Sequence, residues 1–173
     1  MTFTAATEMM SESAVQTVPD EIVRLTDQME RVYRGDAWHG PALRTLLNGV
    51  DAAVASERQH SGVHTIWELT VHVTFWMDAV RRRLAGEILS LQDGDDWPVI
   101  DARTTFRWRD AVAAMDASHQ QLVAAVRALA PDDLEHVVPE MGYTNYVMLH
   151  GVVQHNVYHA GQIAMLLKAS RPY

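Results

Sequence analysis

The sequence predicts an all-α fold in which four long helices pack as a bundle, with short extra helices between them. Apolar residues recur at every third or fourth position along most of the 173 residues, which is the spacing of one helix face. No useful run alternates apolar and polar residues as a strand does. Apolar residues make up 48% of the chain and charged residues 21%, which is typical of one globular domain.

The first 18 residues are small and polar, and we expect them to form a flexible tail before a single domain over residues 19–173. The chain starts without the basic and apolar segments of a signal peptide. No apolar stretch reaches the 18 or so residues that a membrane span needs. We therefore expect a soluble cytoplasmic protein without a membrane partner.

The first long helix is predicted from Asp20, a capping residue, to about Gly35. Its apolar residues, spaced by three and four, are Ile22, Leu25, Met29 and Val32. A turn follows over residues 35–41. A shorter helix is predicted from Pro41 to about Gly49.

The second long helix is predicted to begin after Thr65 and to end near Gly86. Thr65 and Glu68 have the spacing of a capping box, in which each side chain binds the other residue's backbone N–H. The apolar positions of this helix are Leu69, Val73, Trp76 and Val80. Residues 90–101, with Gly94 and the pair Trp97-Pro98, predict a loop.

The third long helix is predicted over residues 102–129 and the fourth over residues 144–168, with a short helical turn at residues 132–134 between them. Pro139 and Gly142 interrupt the chain before the fourth helix. Apolar residues expected inside the third helix's packed face are Phe106, Val112, Met115, Leu122 and Val126.

Charge and cysteine content exclude several functions. The chain holds 14 basic and 22 acidic residues, a formal net charge of −8, which disfavours nucleic-acid binding. Cysteine is absent, so disulfides, thiolate metal ligands and a cysteine nucleophile are excluded. Nine histidines in 173 residues are the first indication of chemistry.

Two of these histidines form a pair on the last helix. His155 and His159 are four residues apart, which places them about 40° apart around the helix axis. Both belong to an apolar stripe that should face the bundle interior, formed with Val152, Ile163 and Leu166. Two imidazoles in a core are costly unless something satisfies them, and one metal ion could bind both.

His72 on the second long helix is the candidate third ligand, since bundle metal sites are built from facing helices. Three neutral imidazoles would leave coordination positions open, as in catalytic rather than structural sites. Zinc, nickel, copper and iron all accept imidazole ligands, so residue chemistry alone leaves the metal open. The alternative for His72 is an ordinary hydrogen-bonded core histidine.

The other histidines are expected to take no part in metal binding. His150 lies about 140° around the helix from His155, which predicts an outer-face position or a subunit contact. A surface position is the interpretation for the remaining histidines, which are His39, His60, His64, His119 and His136.

Several neighbours of the three histidines have two possible roles. Gln162 could orient His159 or a bound water, or it could join two helices by a hydrogen bond. Glu68 could be an acceptor or base near His72, although the capping box is favoured. Trp67 and Trp76 are interpreted as core residues rather than a substrate wall. Gly161 is interpreted as a point of close helix approach.

The start of the last helix leaves a further alternative open. Tyr143, Asn145 and Tyr146 could line the mouth of a site or could be ordinary residues of a helix end.

Four segments together resemble the DinB/YfiT-like metalloenzymes. The last helix contains His155, His159, Gly161, Gln162 and Ile163 in the pattern H-x-x-x-H-x-G-Q-I. The segment HTIWELTVHVTFW (64–76) carries the pattern W-E-x-x-x-H. The loop at residues 96–98 and the segment PALRTLLNGV (41–50) are also similar. The resemblance extends over about residues 20–170.

This resemblance implies an up-down-down-up four-helix bundle with a divalent metal, usually nickel or zinc, on His72, His155 and His159. It also implies a homodimer. Better understood members of the family are thiol-dependent, namely bacillithiol or mycothiol S-transferases and a mycothiol-dependent maleylpyruvate isomerase. The resemblance does not identify the substrate or the residues that would bind a thiol.

Two classes of function follow from these expectations. In the first, the protein is an enzyme whose metal activates an external low-molecular-weight thiol or a water for attack on a small electrophile, as an S-transferase, isomerase or hydrolase. In the second, it is a non-catalytic metal-binding protein of stress response or a dimeric binding protein. A fourth protein ligand on the metal would favour the second class.

Overall fold

Helix α1, Glu21–Tyr33, opens the part of the chain that the computed structural model describes, which is residues 20–97, 100 and 105–170. Asp20 caps it by accepting a hydrogen bond from the Ile22 backbone N–H at 3.1 Å. All four apolar residues predicted for its packed face are buried, namely Ile22, Leu25, Met29 and Val32. The tail predicted for residues 1–18 lies outside the described residues.

Two short helices lead from α1 to the second long helix. Helix α2 is Leu43–Leu46 and helix α3 is Ala52–Ser56. The first agrees with the short helix predicted after Pro41. The second was not predicted, and it is held at its start by Asp51, whose side chain accepts a hydrogen bond from the Val54 N–H at 2.9 Å.

Helix α4, Ile66–Leu84, begins with the predicted capping box. The Glu68 N–H donates to Thr65 Oγ1 at 3.1 Å, and the Thr65 N–H donates to Glu68 Oε2 at 2.8 Å. Trp67 is buried in the core as predicted. Trp76 is only half-buried and lines a cavity, so its interpretation as a core residue was wrong.

Helix α5, Thr105–Arg127, is the third long helix, and a 3-10 turn, Pro131–Glu135, follows it. Met115, Leu122 and Val126 are buried as predicted, whereas Val112 is half-buried. The predicted start at Ala102 and the side chain of Phe106 lie outside the described residues.

Helix α6, Asn145–Ala169, carries the histidine pair. Thr144 caps it by accepting a hydrogen bond from the Val147 N–H at 3.4 Å. Gly161 is exposed, and a Cβ atom added there would meet nothing within 4 Å. The interpretation of Gly161 as a point of close helix approach within the bundle was therefore wrong, because that side of α6 faces away from the other helices.

The four long helices pack around one core. Helices α4 and α1 each pack against both α5 and α6, which confirms the all-α prediction. Between residues 20–97 and 105–170, β pairing is limited to an isolated bridge from Val137 to Thr144. The up-down-down-up order remains a prediction. None of the described helices combines the length and the apolar character of a membrane span.

Candidate metal centre

Three histidine side chains from two helices converge at the interface of α4 and α6. His155 Nε2 lies 3.0 Å from His72 Nε2 and 3.1 Å from His159 Nε2. One ligand atom from each histidine lies within 4.8 Å of the other two. His72 and His159 are buried, and His155 is half-buried. The structure therefore brings together the three residues that the sequence predicted as ligands.

The opposite ring nitrogens are held by hydrogen-bond acceptors. His72 Nδ1 lies 2.9 Å from the backbone oxygen of Asp96, and His159 Nδ1 lies 2.7 Å from Oε1 of Gln162. A carbonyl oxygen only accepts, so Nδ1 of His72 is the donor and its Nε2 carries a lone pair. This is the arrangement of metal-binding histidines, whose other nitrogen is fixed by an acceptor. Gln162 therefore orients the His159 ring, which is one of the two roles that the sequence suggested for it.

The spacing of the nitrogens fits one divalent ion. Two imidazole nitrogens at ordinary zinc distances and at tetrahedral or octahedral angles lie roughly 2.9–3.4 Å apart. The two short Nε2–Nε2 distances of 3.0 and 3.1 Å fall within that range. A single proton on His155 Nε2 could not satisfy both of its neighbours well, whereas a cation at the centre would accept all three lone pairs. The donor set therefore fits a divalent metal.

Burial keeps these imidazoles in the form that binds metals. It lowers the pKa of His72 and of His159 below the ordinary value of 6.5. The pKa of His155 is lowered to about 4, first by burial and then by repulsion from the neighbouring His159 and His72. All three side chains are consequently neutral at pH 7, and no proton needs to leave before an ion binds.

A loop 24 residues after His72 completes one wall of the centre. The Trp97 ring stacks on the His72 ring at 3.8 Å between centroids and on the exposed His64 ring at 3.5 Å. Asp96 Oδ2 also accepts a hydrogen bond from Trp76 Nε1 at 3.3 Å. The sequence predicted a loop over residues 90–101, but it did not predict the contact with His72, because that contact depends on how the loop folds back onto α4.

Glu68 forms the capping box with Thr65, which is the role that the sequence favoured over that of an acceptor or base near His72. Its carboxylate binds the Thr65 N–H and the Arg58 guanidinium, and it lies 3.3 Å from His64 Nδ1. Partial burial opposes ionisation, but the hydrogen bonds from Thr65 and Arg58 hold the pKa of Glu68 below its usual value. Its oxygens are occupied by these partners at the start of α4, one helical turn before His72.

The remaining histidines lie outside the cluster. His150 points away from His155 as predicted, but it does not lie on the outer face, since its half-buried side chain faces Glu21 of α1 at 3.4 Å and contacts the Tyr146 ring. His119 was predicted on the surface, but it is only 2% exposed, so that interpretation was wrong. It stacks on Tyr33 at 3.8 Å and lies 3.2 Å from Glu30, because the face of α5 that carries it packs on α1.

Two cavities lie near the candidate metal centre, one lined by His155 and the other lined by Gln162, the hydrogen-bond partner of His159. One, of about 340 Å³, lies between α4 and α6 and is bounded by His155, Trp76 and Tyr143. The other, of about 370 Å³, is bounded by Gln162 and His64. Of the three residues considered for a mouth, only Tyr143 lines a cavity. Asn145 is buried and binds the Asp133 backbone oxygen, and Tyr146 packs on His150.

Comparison with known proteins agrees with this geometry. Residues 37–163 match the family model of the DinB superfamily. No curated protein and no solved structure gives a significant match. The matched segment contains all three converging histidines together with the loop that stacks on them. This chain belongs to the DinB superfamily.

Proposed function

We propose that this protein is a metal-dependent enzyme in which His72, His155 and His159 hold one divalent ion, nickel or zinc. The single observation that carries the proposal is the convergence of three neutral imidazole nitrogens at 3.0 and 3.1 Å. We propose further that the substrate is a small electrophile. A thiol-dependent transfer or isomerisation is the favoured reaction, and hydrolysis is the alternative.

A bound divalent ion would act as a Lewis acid that lowers the pKa of a thiol or water and polarises a carbonyl. The chain's own residues would prepare the site. Asp96 and Gln162 orient the imidazoles of His72 and His159 by accepting from their Nδ1–H groups. Trp97 covers one face of His72 and limits the access of water on that side.

The described residues offer no fourth ligand to the cluster. Within residues 20–97 and 105–170, the potential metal-binding group contains three histidines and no carboxylate. Asp96 Oδ2 lies 3.5 Å from Nδ1 of His72, which is the nitrogen that points away from the centre. Open coordination positions support an enzyme over a closed structural site.

The presence of two cavities near the candidate metal centre supports a reaction with two reactants. One cavity reaches His155, and the other reaches Gln162, which holds His159. The chain has no cysteine, so a thiol in this reaction would come from outside the protein. A small thiol and an electrophile could therefore occupy separate cavities, of which the one lined by His155 reaches the proposed metal ligands directly.

The first test is the metal content of the purified protein, measured by mass spectrometry. We expect about one nickel or zinc ion per chain in the wild type, and loss of that ion in His159→Ala. His150→Ala is the matched control on the same helix, and its metal content should be unchanged. Full metal occupancy in a folded His159→Ala protein would contradict the ligand assignment.

The second test is a screen of small thiols, including bacillithiol and mycothiol, with a chloronitroaromatic electrophile. We expect thiol consumption that depends on the metal and disappears in His159→Ala. If the metal-loaded protein catalyses neither reaction of the electrophile with any thiol nor its hydrolysis by water, the result would favour the non-catalytic metal-binding role in stress response.

We also propose that the protein forms a homodimer through the exposed side of α6. Val147, Tyr158 and Met165 are 52%, 64% and 74% exposed, and their spacing of 11 and 7 residues places them along one side of the helix. Light scattering of the wild type and of Tyr158→Glu would test this. We expect a dimer for the first and a monomer for the second, and a wild-type monomer would refute it.

A further inference from the structure

The cavity beside His155 is lined mostly by apolar side chains. Val80, Met148 and Val152 form much of its wall, and its volume of about 340 Å³ suits a small organic molecule. His155 bounds it on one side, and Arg83, from the last turn of α4, also lines it.

Arg83 is a largely buried cation that has no hydrogen-bond or ion-pair partner among the described residues. It is 8% exposed, and across residues 20–97 and 105–170 its guanidinium makes no hydrogen bond or ion pair. No carboxylate belongs to the described lining of the cavity. The neighbouring arginines differ, since Arg81 pairs with Asp78 at 2.7 Å and Arg82 with Glu87 at 2.8 Å.

An unpaired buried charge is costly. The carbonyl end of α4 and the face of the Trp76 ring, 5.7 Å from the Arg83 guanidinium carbon, offset only part of that cost. Although the chain has a formal net charge of −8, no described carboxylate pairs with this guanidinium. Without a carboxylate partner, the five N–H donors of Arg83 are available to an anionic ligand in the cavity that this residue lines.

The geometry connects this cation to the candidate metal centre. The Trp76 ring contacts the guanidinium on one side and lies 6.2 Å from the His155 ring centroid. A molecule that lies along Trp76 would therefore reach Arg83 and His155 together. Tyr143 lines the same cavity, and its phenol could donate to the same ligand.

We propose that Arg83 is the binding residue for the carboxylate of a small substrate whose body is apolar or aromatic. The carboxylate accepts two parallel hydrogen bonds from the guanidinium, the body packs on Trp76, and the far end of the molecule lies at His155. The assignment of this ligand as the substrate rests on the proposed function, whereas the carboxylate site itself does not.

The test measures binding of phenylacetate by titration calorimetry, with neutral phenylacetamide as its matched analogue and inorganic phosphate as an anion without an apolar body. The full-length chain carries His159→Ala and is treated with chelator, so that no carboxylate can bind through a metal. The same titrations are made with Arg83→Gln added, and with Arg82→Gln as the control for loss of a neighbouring arginine.

We expect phenylacetate to bind with a Kd of roughly 1 mM or tighter. Arg83→Gln should weaken it by roughly tenfold or more, and Arg82→Gln should leave it unchanged. Phenylacetamide should bind more weakly and should not respond to Arg83→Gln. Because Arg83 has no hydrogen bond or ion pair with the described residues to lose, we expect Arg83→Gln to fold, and Arg83→Lys provides a second variant with an intermediate loss.

Three results would overturn the proposal. The first is absence of phenylacetate binding at a phenylacetate concentration roughly tenfold above the expected Kd. The second is equal affinity for phenylacetate and phenylacetamide. The third is an affinity for phosphate as high as that for phenylacetate. Failure of the proposed function has a different signature, because a wild-type protein without stoichiometric metal would still bind phenylacetate through Arg83.

Discussion

Two interfaces of the bundle bury histidine side chains, and the partners of the imidazole nitrogens differ between them. Between α1 and α5, His119 stacks on Tyr33 and faces the Glu30 carboxylate at 3.2 Å. Between α4 and α6, the three cluster histidines direct Nε2 atoms at one another. The α1–α5 interface provides a carboxylate acceptor for the His119 imidazole. The α4–α6 interface instead brings the Nε2 atoms of three imidazoles together, and no cationic side chain belongs to that group among the described residues.

This contrast separates a structural histidine from a candidate ligand. Tyr33 also donates a hydrogen bond to Asp116 at 2.7 Å, and Asp116 is paired with Arg44 at 3.2 Å. The network around His119 is thus complete within the protein. The cluster on α4 and α6 instead places three imidazole nitrogens where they could bind a divalent metal ion. Burial alone, which both share, therefore does not identify a metal site.

The largest expected effect is on the His119 side of the comparison. His119→Ala removes a buried ring that packs on Tyr33 and leaves a cavity, so we expect the free energy of unfolding to fall by about 2–4 kcal/mol. Urea unfolding measures it, with exposed His136→Ala as the control, expected within about 0.5 kcal/mol of wild type. Metal content should stay unchanged in His119→Ala. Loss of metal from a folded His119→Ala protein would show that His119 contributes to metal binding and would contradict its purely structural role.

On the cluster side, stability should depend on the ion. A metal that bridges α4 and α6 adds RT ln(1 + [L]/Kd), which is about 2.7 kcal/mol at a hundredfold excess over Kd. We expect chelation to lower the Tm of the wild type at pH 7.5 and to leave the Tm of His159→Ala unchanged. Equal Tm values for verified metal-loaded and metal-free wild type would rule out a bridging ion.

Acid should weaken the metal-free protein, and His155 should contribute more than His119 does. Because burial holds the pKa of His155 near 4 in the folded state, the unfolded chain binds more protons between about pH 6.5 and pH 4. The free energy of unfolding therefore falls as the pH falls through that window. Burial also lowers the pKa of His119, although Glu30 opposes the shift.

Urea unfolding at pH 7 and pH 5 measures this acid sensitivity. We expect His155→Gln to remove more of the difference between the two pH values than His119→Gln does. A stability that rises on acidification would contradict the assigned direction of the shifts. The same lowered pKa values predict that metal binding persists to a lower pH than the ordinary imidazole value of about 6.5 would allow.

The smallest effect concerns the exposed side of α6, opposite the cluster. Gly161 is helical and open to solvent within the monomer, so Gly161→Ala should raise the free energy of unfolding by about 0.5–1 kcal/mol through helix propensity. Chemical denaturation at low protein concentration measures the monomer. A loss of stability there would indicate that the position tolerates no Cβ, and loss of the dimer would place Gly161 in the contact between copies.

Local features of this protein could be predicted because they depend on neighbours in sequence. The Thr65–Glu68 capping box and the placement of His155 and His159 on one side of α6 follow from helix geometry over four residues. The apolar stripe of α1 was predicted for the same reason. The angle between His150 and His155 is another consequence of the helix repeat, whereas the contact of His150 with Glu21 depends on how α1 packs against α6.

The tertiary structure decided what those residues meet. Asp96 and Trp97 contact His72 only because a loop folds back onto α4, and His119 is buried only because α1 covers its face of α5. Packing likewise decides that Gly161 is open to solvent and that no described carboxylate pairs with Arg83. The spacing of residues determines the direction of a side chain on its helix, whereas its partners depend on which elements pack against that side.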